Sequence, residues 1–468
     1  MEFDADRSEA EQRSFRTGIL ALVLLFAVVV SLQIAGARMD GAGGSAAESD
    51  RDLALRSGDL YAKFSLAWPS PELDSSTERA YKRALPLPSA YRRLGVLSEY
   101  WGTSGRGYFD RLDSAGRRLH LSSKQIARLR REKAMWLTIF DHKPLSARDL
   151  PGYVRRIRAL DLGPLTDIAI YEVYRRAGLA EKAERILDAA RSRHRRAVTA
   201  ASGLLGLLLL GGMVGFFVAV RFLAANAARF TAAPRSRLDW SAGVSSFIVY
   251  LAGYIGLGAI VEIASQELGG KLVDACYLGM LIASAFAAYT LGMWVLTCHL
   301  GRMGLDWREI GYRTSSAARD VLTGAAGFFA ALPFLVLAWL VTLALAATVF
   351  RHIPTPEQPF QEFVSRGGAL SVVLTFIAAS VVAPIVEETF FRGVLYTTLR
   401  GRMGVWAATA ISSALFAIIH PLPGGFLPIF VLACAFALMR ERSGSLLPSI
   451  ACHSVYNTLQ LIFVALLF

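Results

Sequence analysis

The apolar residues of this chain recur in blocks of about 20 with few charges among them, the length a helix needs to cross roughly 30 Å of hydrocarbon. A soluble protein of this size would spread them at helical or strand period instead. The composition agrees, with 54% hydrophobic and 19% charged residues in 468. The pattern predicts an all-α fold: a multi-pass transmembrane helix bundle of about eight or nine spans with one inserted soluble helical domain.

The first apolar block covers 17–37, after a 16-residue tail that mixes five acids with Arg7, Arg13 and Arg16. Ala35-Gly36-Ala37 resembles a signal-peptidase site, so a cleaved signal peptide is an alternative to an anchor. The apolar stretch exceeds a usual signal core, which favours the anchor. Either outcome carries residues 38–197 across the membrane. That region opens with a Gly/Ala/Ser-rich linker, Gly41 to Ser49, and continues at helical period. Near its end two amphipathic helices meet at Gly178, with Ile168, Ile170, Val173 and Tyr174 on one and Ala180, Ala183, Ile186 and Leu187 on the other. The pair is faintly like a tetratricopeptide hairpin, but one unit makes no repeat array.

A transmembrane helix is expected over 198–224 and a membrane domain over 242–468. The spans fall near 199–222, 243–263, 275–298, 320–349, 369–399, 405–420, 425–439 and 446–467. Arginines crowd alternate connections: Arg221, Arg229, Arg235 and Arg237; Arg302, Arg308, Arg313 and Arg319; Arg400 and Arg402; Arg440 and Arg442. This positive-inside pattern puts the N-terminus (1–16) in the cytoplasm and the 38–197 domain outside it, in a multi-pass cell-membrane protein. Net charge is +13, concentrated between Arg38 and Arg196. Those arginines are interleaved with acids and form no nucleic-acid motif, so they read as a solvated surface beside anionic headgroups. The partners expected are the bilayer and a membrane-associated protein or peptide, not nucleic acid. The soluble region has no cysteine, which excludes a disulfide framework there.

Charged groups inside apolar spans are costly and functional by default. Pro384 precedes Glu387-Glu388-Thr-Phe-Phe-Arg392-Gly393. The proline is expected to break the incoming helix and sit in the first turn of a new one. Adjacent glutamates point about 100° apart, so they serve different ends. Glu388 and Arg392 stand at i,i+4 with the acid first, the favourable order for an ion pair. Glu387 is left as the candidate general base. His420 ends the apolar run Phe416-Ala-Ile-Ile-His420, and His453 and Asn457 share a helix face at i,i+4. Counted from a turn at Met403, Glu387 is 16 residues before and His420 17 after, so both rise about 24–26 Å and end level. His453, counted from a turn at Ser443, rises only about 15 Å, an offset the simple geometry does not absorb.

Two chemistries fit these residues. Glutamate and imidazole can activate a water while an amide and a second imidazole stabilise an oxyanion. Alternatively, Glu387, His420 and His453 could ligate a divalent metal such as zinc, although HExxH is absent. Taken singly, each set has a structural reading: a clamp for Glu388–Arg392, an interfacial histidine for His420, a helix cross-link for His453–Asn457. Together, in successive helices, they point to a site.

EETFFRG (387–393), FAIIH (416–420) and HSVYN (453–457), in this order, resemble the three motifs of the CPBP family. That family includes CAAX prenyl endopeptidases of the Rce type and the Abi group of bacteriocin-processing or immunity membrane proteins. The resemblance covers about 369–468, and GLDWREIGYR (304–313) looks like the segment preceding the family core. It implies an all-helical intramembrane endopeptidase, either glutamate-type or metal-dependent. Glu387 and His420 would activate water, His453 and Asn457 would stabilise the oxyanion, and Glu388 and Arg392 would support the site. A non-enzymatic immunity or scaffold protein is the alternative. The family does not require the first anchor or the 38–197 domain. That domain is the expected place for substrate or partner recognition.

Overall fold

The computed structural model describes residues 16–24, 46–141, 145–160, 162–226, 237–268, 271–348, 369–420 and 425–467. It is helical throughout, with no strand among these residues. Residues 16–24 form helix α1; the remainder of the first apolar block and residues 41–45 of the linker lie outside the described residues. The chain divides into two compact units, one made mainly of residues 41–204 and the other of residues 1–40 and 205–465.

In the first unit, α2 (Ala46–Ala67) begins inside the stretch expected to be linker. It is followed by α3 (Pro71–Arg83), α4 (Pro88–Tyr100), α5 (Arg106–Phe109), α6 (Leu112–Arg118), α7 (Ser123–Ile139), α8 (Leu150–Arg158) and α9 (Thr166–Arg176). Prolines in the first turns of α3, α4 and α8 fit there because those amides lack intrahelical partners. A capping box, Ser122 with Gln125, starts α7. Gly178, at φ +75°, turns the chain from α9 into α10 (Ala180–Asn226), as the sequence suggested. Ile168, Ile170 and Val173 are buried with Ala183 and Leu187, and Tyr174 and Ile186 pack beside them, but Ala180 is exposed.

The core of this unit carries stacked Phe109, Trp136 and Phe140, with centroids 5.1 and 5.3 Å from Phe109. Buried charges are threaded through it in matched sets. Arg93, only 1% exposed, donates to both Asp59 oxygens at 2.7 and 2.9 Å, and the Tyr81 hydroxyl donates to the same carboxylate at 2.7 Å. Glu132 accepts from Arg92 and from the Trp136 indole at 3.1 Å.

The second unit contains α11 (Trp240–Leu268), α12 (Lys271–Arg302), α13 (Ala317–Thr348), α14 (369–400), α15 (Val405–Ile418), α16 (Phe426–Ser443) and α17 (Leu447–Leu467). Among the described residues, six helices are long and apolar enough to span a bilayer: Ala180–Phe222, Trp240–Val261, Gly279–Arg302, Ala317–Leu345, Val372–Arg400 and Leu447–Leu466. Val405–Ile418 is a shorter apolar helix, and α16 is apolar only as far as Met439 before Arg440-Glu441-Arg442. Leu207, Phe217, Leu337 and Leu340 are exposed, as lipid-facing side chains should be. The core lies where α14 packs on α11, α15 and α16, around Phe247, Phe390, Phe391 and Phe416.

Pro384 does not break the chain into two helices. α14 runs on through it by widening to a π-helical turn at Ala378–Val382, and again at Thr389–Tyr396. In the first wide turn the Ala383 amide bonds back five residues to the Ala378 carbonyl. The next bond of that ladder would need a Pro384 N–H, which proline lacks.

Replacing Asp59 with Ala leaves Arg93 buried without its anion. A loss of about 3 kcal/mol in the stability of residues 41–204 is expected, measured as a lowered unfolding midpoint of the full chain in detergent.

Candidate active site

The site is built from α14, α15, α16 and α17. Glu388 and Arg392 sit on one face of α14, both 0% exposed, with Arg392 Nη1 3.0 Å from Glu388 Oε1. Arg392 Nη2 donates to the Ala433 carbonyl of α16 at 3.0 Å. Its guanidinium carbon lies 4.5 Å from the Phe416 ring centroid and 5.0 Å from that of Phe436, so aromatic faces cover the rest of the cation. The i,i+4 pair read from the sequence is therefore present, with supports on α15 and α16 that the sequence did not reveal.

His453 of α17 joins this pair. Its Nδ1 is 3.2 Å from Glu388 Oε1 and its Nε2 is 3.9 Å from Glu387 Oε2. A carboxylate accepts, so Nδ1 carries the proton and Nε2 faces Glu387. Phe436 stacks on the imidazole at 5.0 Å and Phe416 meets it edge-on at 5.8 Å. The depth offset of His453 disappears because the two turns are not level. Glu441, near the end of α16, accepts from Tyr396 at 2.7 Å and from Arg400 at 3.0 Å. Leu446, just past that turn, abuts Gly393. The α16–α17 turn thus sits deeper than Met403, and seven residues of α17 suffice to reach Glu388.

Glu387 points away from the Arg392 pair, and its Oε2 is enclosed without a hydrogen-bond partner among the described residues. Its electrostatic neighbours include Tyr250 and Tyr254 of α11 and Tyr289 of α12. Those rings form a connected stack that reaches Phe390, 4.1 Å from Tyr250. No motif marks these tyrosines in the sequence; only their place in apolar spans sets them apart. His420 lies just past α15, with Nδ1 2.8 Å from the Phe416 carbonyl. A carbonyl only accepts, so Nδ1 is the protonated nitrogen and Nε2 holds the lone pair. Glu387 and His453 both act on His420 electrostatically.

Asn457 is placed differently from the expectation of a free oxyanion donor. Its Nδ2 donates at 2.7 Å to the Ala379 carbonyl, the acceptor that Pro384 cannot satisfy in the π-helical turn. One amide hydrogen remains for other use. A second unpredicted link runs from the 304–313 segment. Thr389 Oγ1 donates to the Ile385 carbonyl, so the Tyr312 hydroxyl, 2.6 Å away, donates to Thr389.

Among the described residues no three His, Cys, Asp or Glu side chains are grouped as ligands for a metal ion.

A multi-pass helical membrane protein with carboxylates and imidazoles gathered inside its bundle is what the fold and site define. Residues 369–459 match the family model described as Rce1-like, type II CAAX prenyl endopeptidase, a match consistent with the CPBP intramembrane peptidases. The chain is also similar to an uncharacterised 24.3 kDa protein of Escherichia coli, 29% identical over 137 residues. That stretch is 28% of this chain and 63% of the relative, so the chain covers less than two thirds of the relative's length. No solved structure matches the chain.

Arg392→Met strands Glu388 as an unpaired buried charge, and a loss of about 3–5 kcal/mol is expected by thermal or denaturant unfolding. The double variant Glu388→Gln, Arg392→Met recovers part of it, because no net charge then stays buried.

Proposed function

We propose that this protein is an intramembrane endopeptidase of the glutamate type, cleaving a peptide bond in a membrane-associated protein or peptide. The observation that carries the reading is the enclosed, unpartnered Glu387 carboxylate oxygen beside an imidazole that a second, neutralised carboxylate holds in place. Water enters through a cavity between helices, since an open carboxylate cannot face lipid. Glu387 and the lone pair of His420 Nε2 orient that water. Glu387 takes its proton as the oxygen attacks the scissile carbonyl, then passes it to the leaving amine. His453, its Nδ1 held by Glu388, donates from Nε2 to the developing oxyanion when both ring nitrogens are protonated. The remaining amide hydrogen of Asn457 adds a second donor. Arg392 keeps the Glu388 charge balanced throughout.

The N-terminus is cytoplasmic in this reading, and residues 38–197 lie outside the cytoplasm, where they recognise the substrate. The arginine-rich alternate connections support this sidedness. A cysteine at exposed Ser104 should react in intact cells with a membrane-impermeant maleimide, and one at Arg402 should react only after lysis.

Glu387→Gln keeps size and hydrogen bonding but removes the base, so cleavage should fall about 10²–10⁴-fold. The measurement is a comparison of new protein termini in membranes of cells expressing wild type or Glu387→Gln at equal levels. Termini that persist undiminished with Glu387→Gln sink the base assignment. Loss of cleavage on chelator dialysis, restored by zinc, sinks the glutamate-type mechanism.

A further inference from the structure

At the end of α16 a buried cation has no anion paired with it among the described residues. Arg440 is 7% exposed, and its enclosed Nε has no hydrogen-bond partner among the described residues. The nearby carboxylates are engaged elsewhere: Glu441 with Arg400 and Tyr396, and Glu309 with Arg237 at 3.3 Å. Burial and the repulsion of a second cation, Arg313, both disfavour the charge on Arg440.

Two glycines bring these cations together. Gly311, at φ +109°, lets the Arg440 guanidinium lie against the backbone; a Cβ there would stand 2.8 Å from Nε and 2.9 Å from Cζ. Gly444 closes α16 in the left-handed conformation, and Arg313 Nε donates to its carbonyl at 2.8 Å. A Cβ on Gly444 would come within 2.9 Å of Arg313 Nη2. The Leu446 amide bonds the Gly311 carbonyl at 2.9 Å and fastens the two segments. Two like charges on neighbouring turns, one of them buried, are unfavourable unless something negative joins them.

We propose that Arg440 and Arg313 form a binding site for a phosphate anion, borne by an acidic phospholipid headgroup or free in solution. Guanidinium forks match phosphate oxygens in pairs, and Arg313 is exposed while Arg440 carries an enclosed donor. The place suits a headgroup: Arg440 directly follows the apolar run of α16 that ends at Met439.

The test uses the full chain in detergent, with thermal unfolding followed on addition of phosphatidylglycerol, phosphatidylcholine or inorganic phosphate. Phosphatidylglycerol should raise the wild-type Tm by at least about 2 °C more than phosphatidylcholine. Arg440→Gln and Arg313→Gln should each abolish that difference, whereas Arg442→Gln, at an exposed neighbouring position, should keep it. Arg313 is exposed, so its variant reports even if Arg440→Gln folds poorly. An equal rise with inorganic phosphate, lost in the same two variants, assigns the site to the free anion. Equal responses of wild type, Arg313→Gln and Arg440→Gln overturn the proposal, as does loss of the response in Arg442→Gln.

Discussion

An ionised carboxylate in a helix bundle surrounded by hydrocarbon must find a cation, and the cation must in turn be covered. Glu388 and Arg392 meet this demand together, and their neighbours follow from it. Arg392 has more donors than one carboxylate oxygen can take, so α16 offers the Ala433 carbonyl and Phe416 and Phe436 close over the guanidinium. The same Glu388 oxygen also receives His453, which ties α17 to α14. One ion pair thus gathers three helices. It also fixes the imidazole that faces Glu387, whose own carboxylate is turned aside by its neighbouring position on the helix.

The sequence revealed the parts governed by local spacing. Blocks of apolar residues announced the helices, Gly178 announced its turn, and the i,i+4 spacing of Glu388 and Arg392 announced their contact. The α14 wide turns were hidden, because a proline in an apolar run signals disruption without saying whether the helix stops or swells. Asn457 was read as a partner for chemistry, and its bond to Ala379 depends on a carbonyl that is orphaned only once the wide turn forms. The depth of His453 was misjudged for a related reason. Counting from each turn assumes the turns are level, and the packing of Leu446 on Gly393 decides that they are not.

Part of the site's wall comes from helices outside residues 369–459. Tyr250, Tyr254 and Tyr289 reach Glu387 from α11 and α12, and Tyr312 reaches α14 through Thr389. Long-range contacts of this kind leave no periodic trace in a single sequence. They tie the segment that matches the family model to helices earlier in the chain.

The two swollen turns of α14 also govern which changes in chain length this helix can bear. A π-helical turn accommodates an extra residue relative to an α-helical one, so the register of everything beyond it is set by that surplus. Removing a single residue between Ala378 and Val382 would let the helix tighten and rotate one flank against the other by about 100°. The Ala379 carbonyl would then swing off Asn457, or the two glutamates would trade faces. Length in this segment is therefore as specific as identity: a drifting chain can exchange side chains here far more readily than it can gain or lose a link.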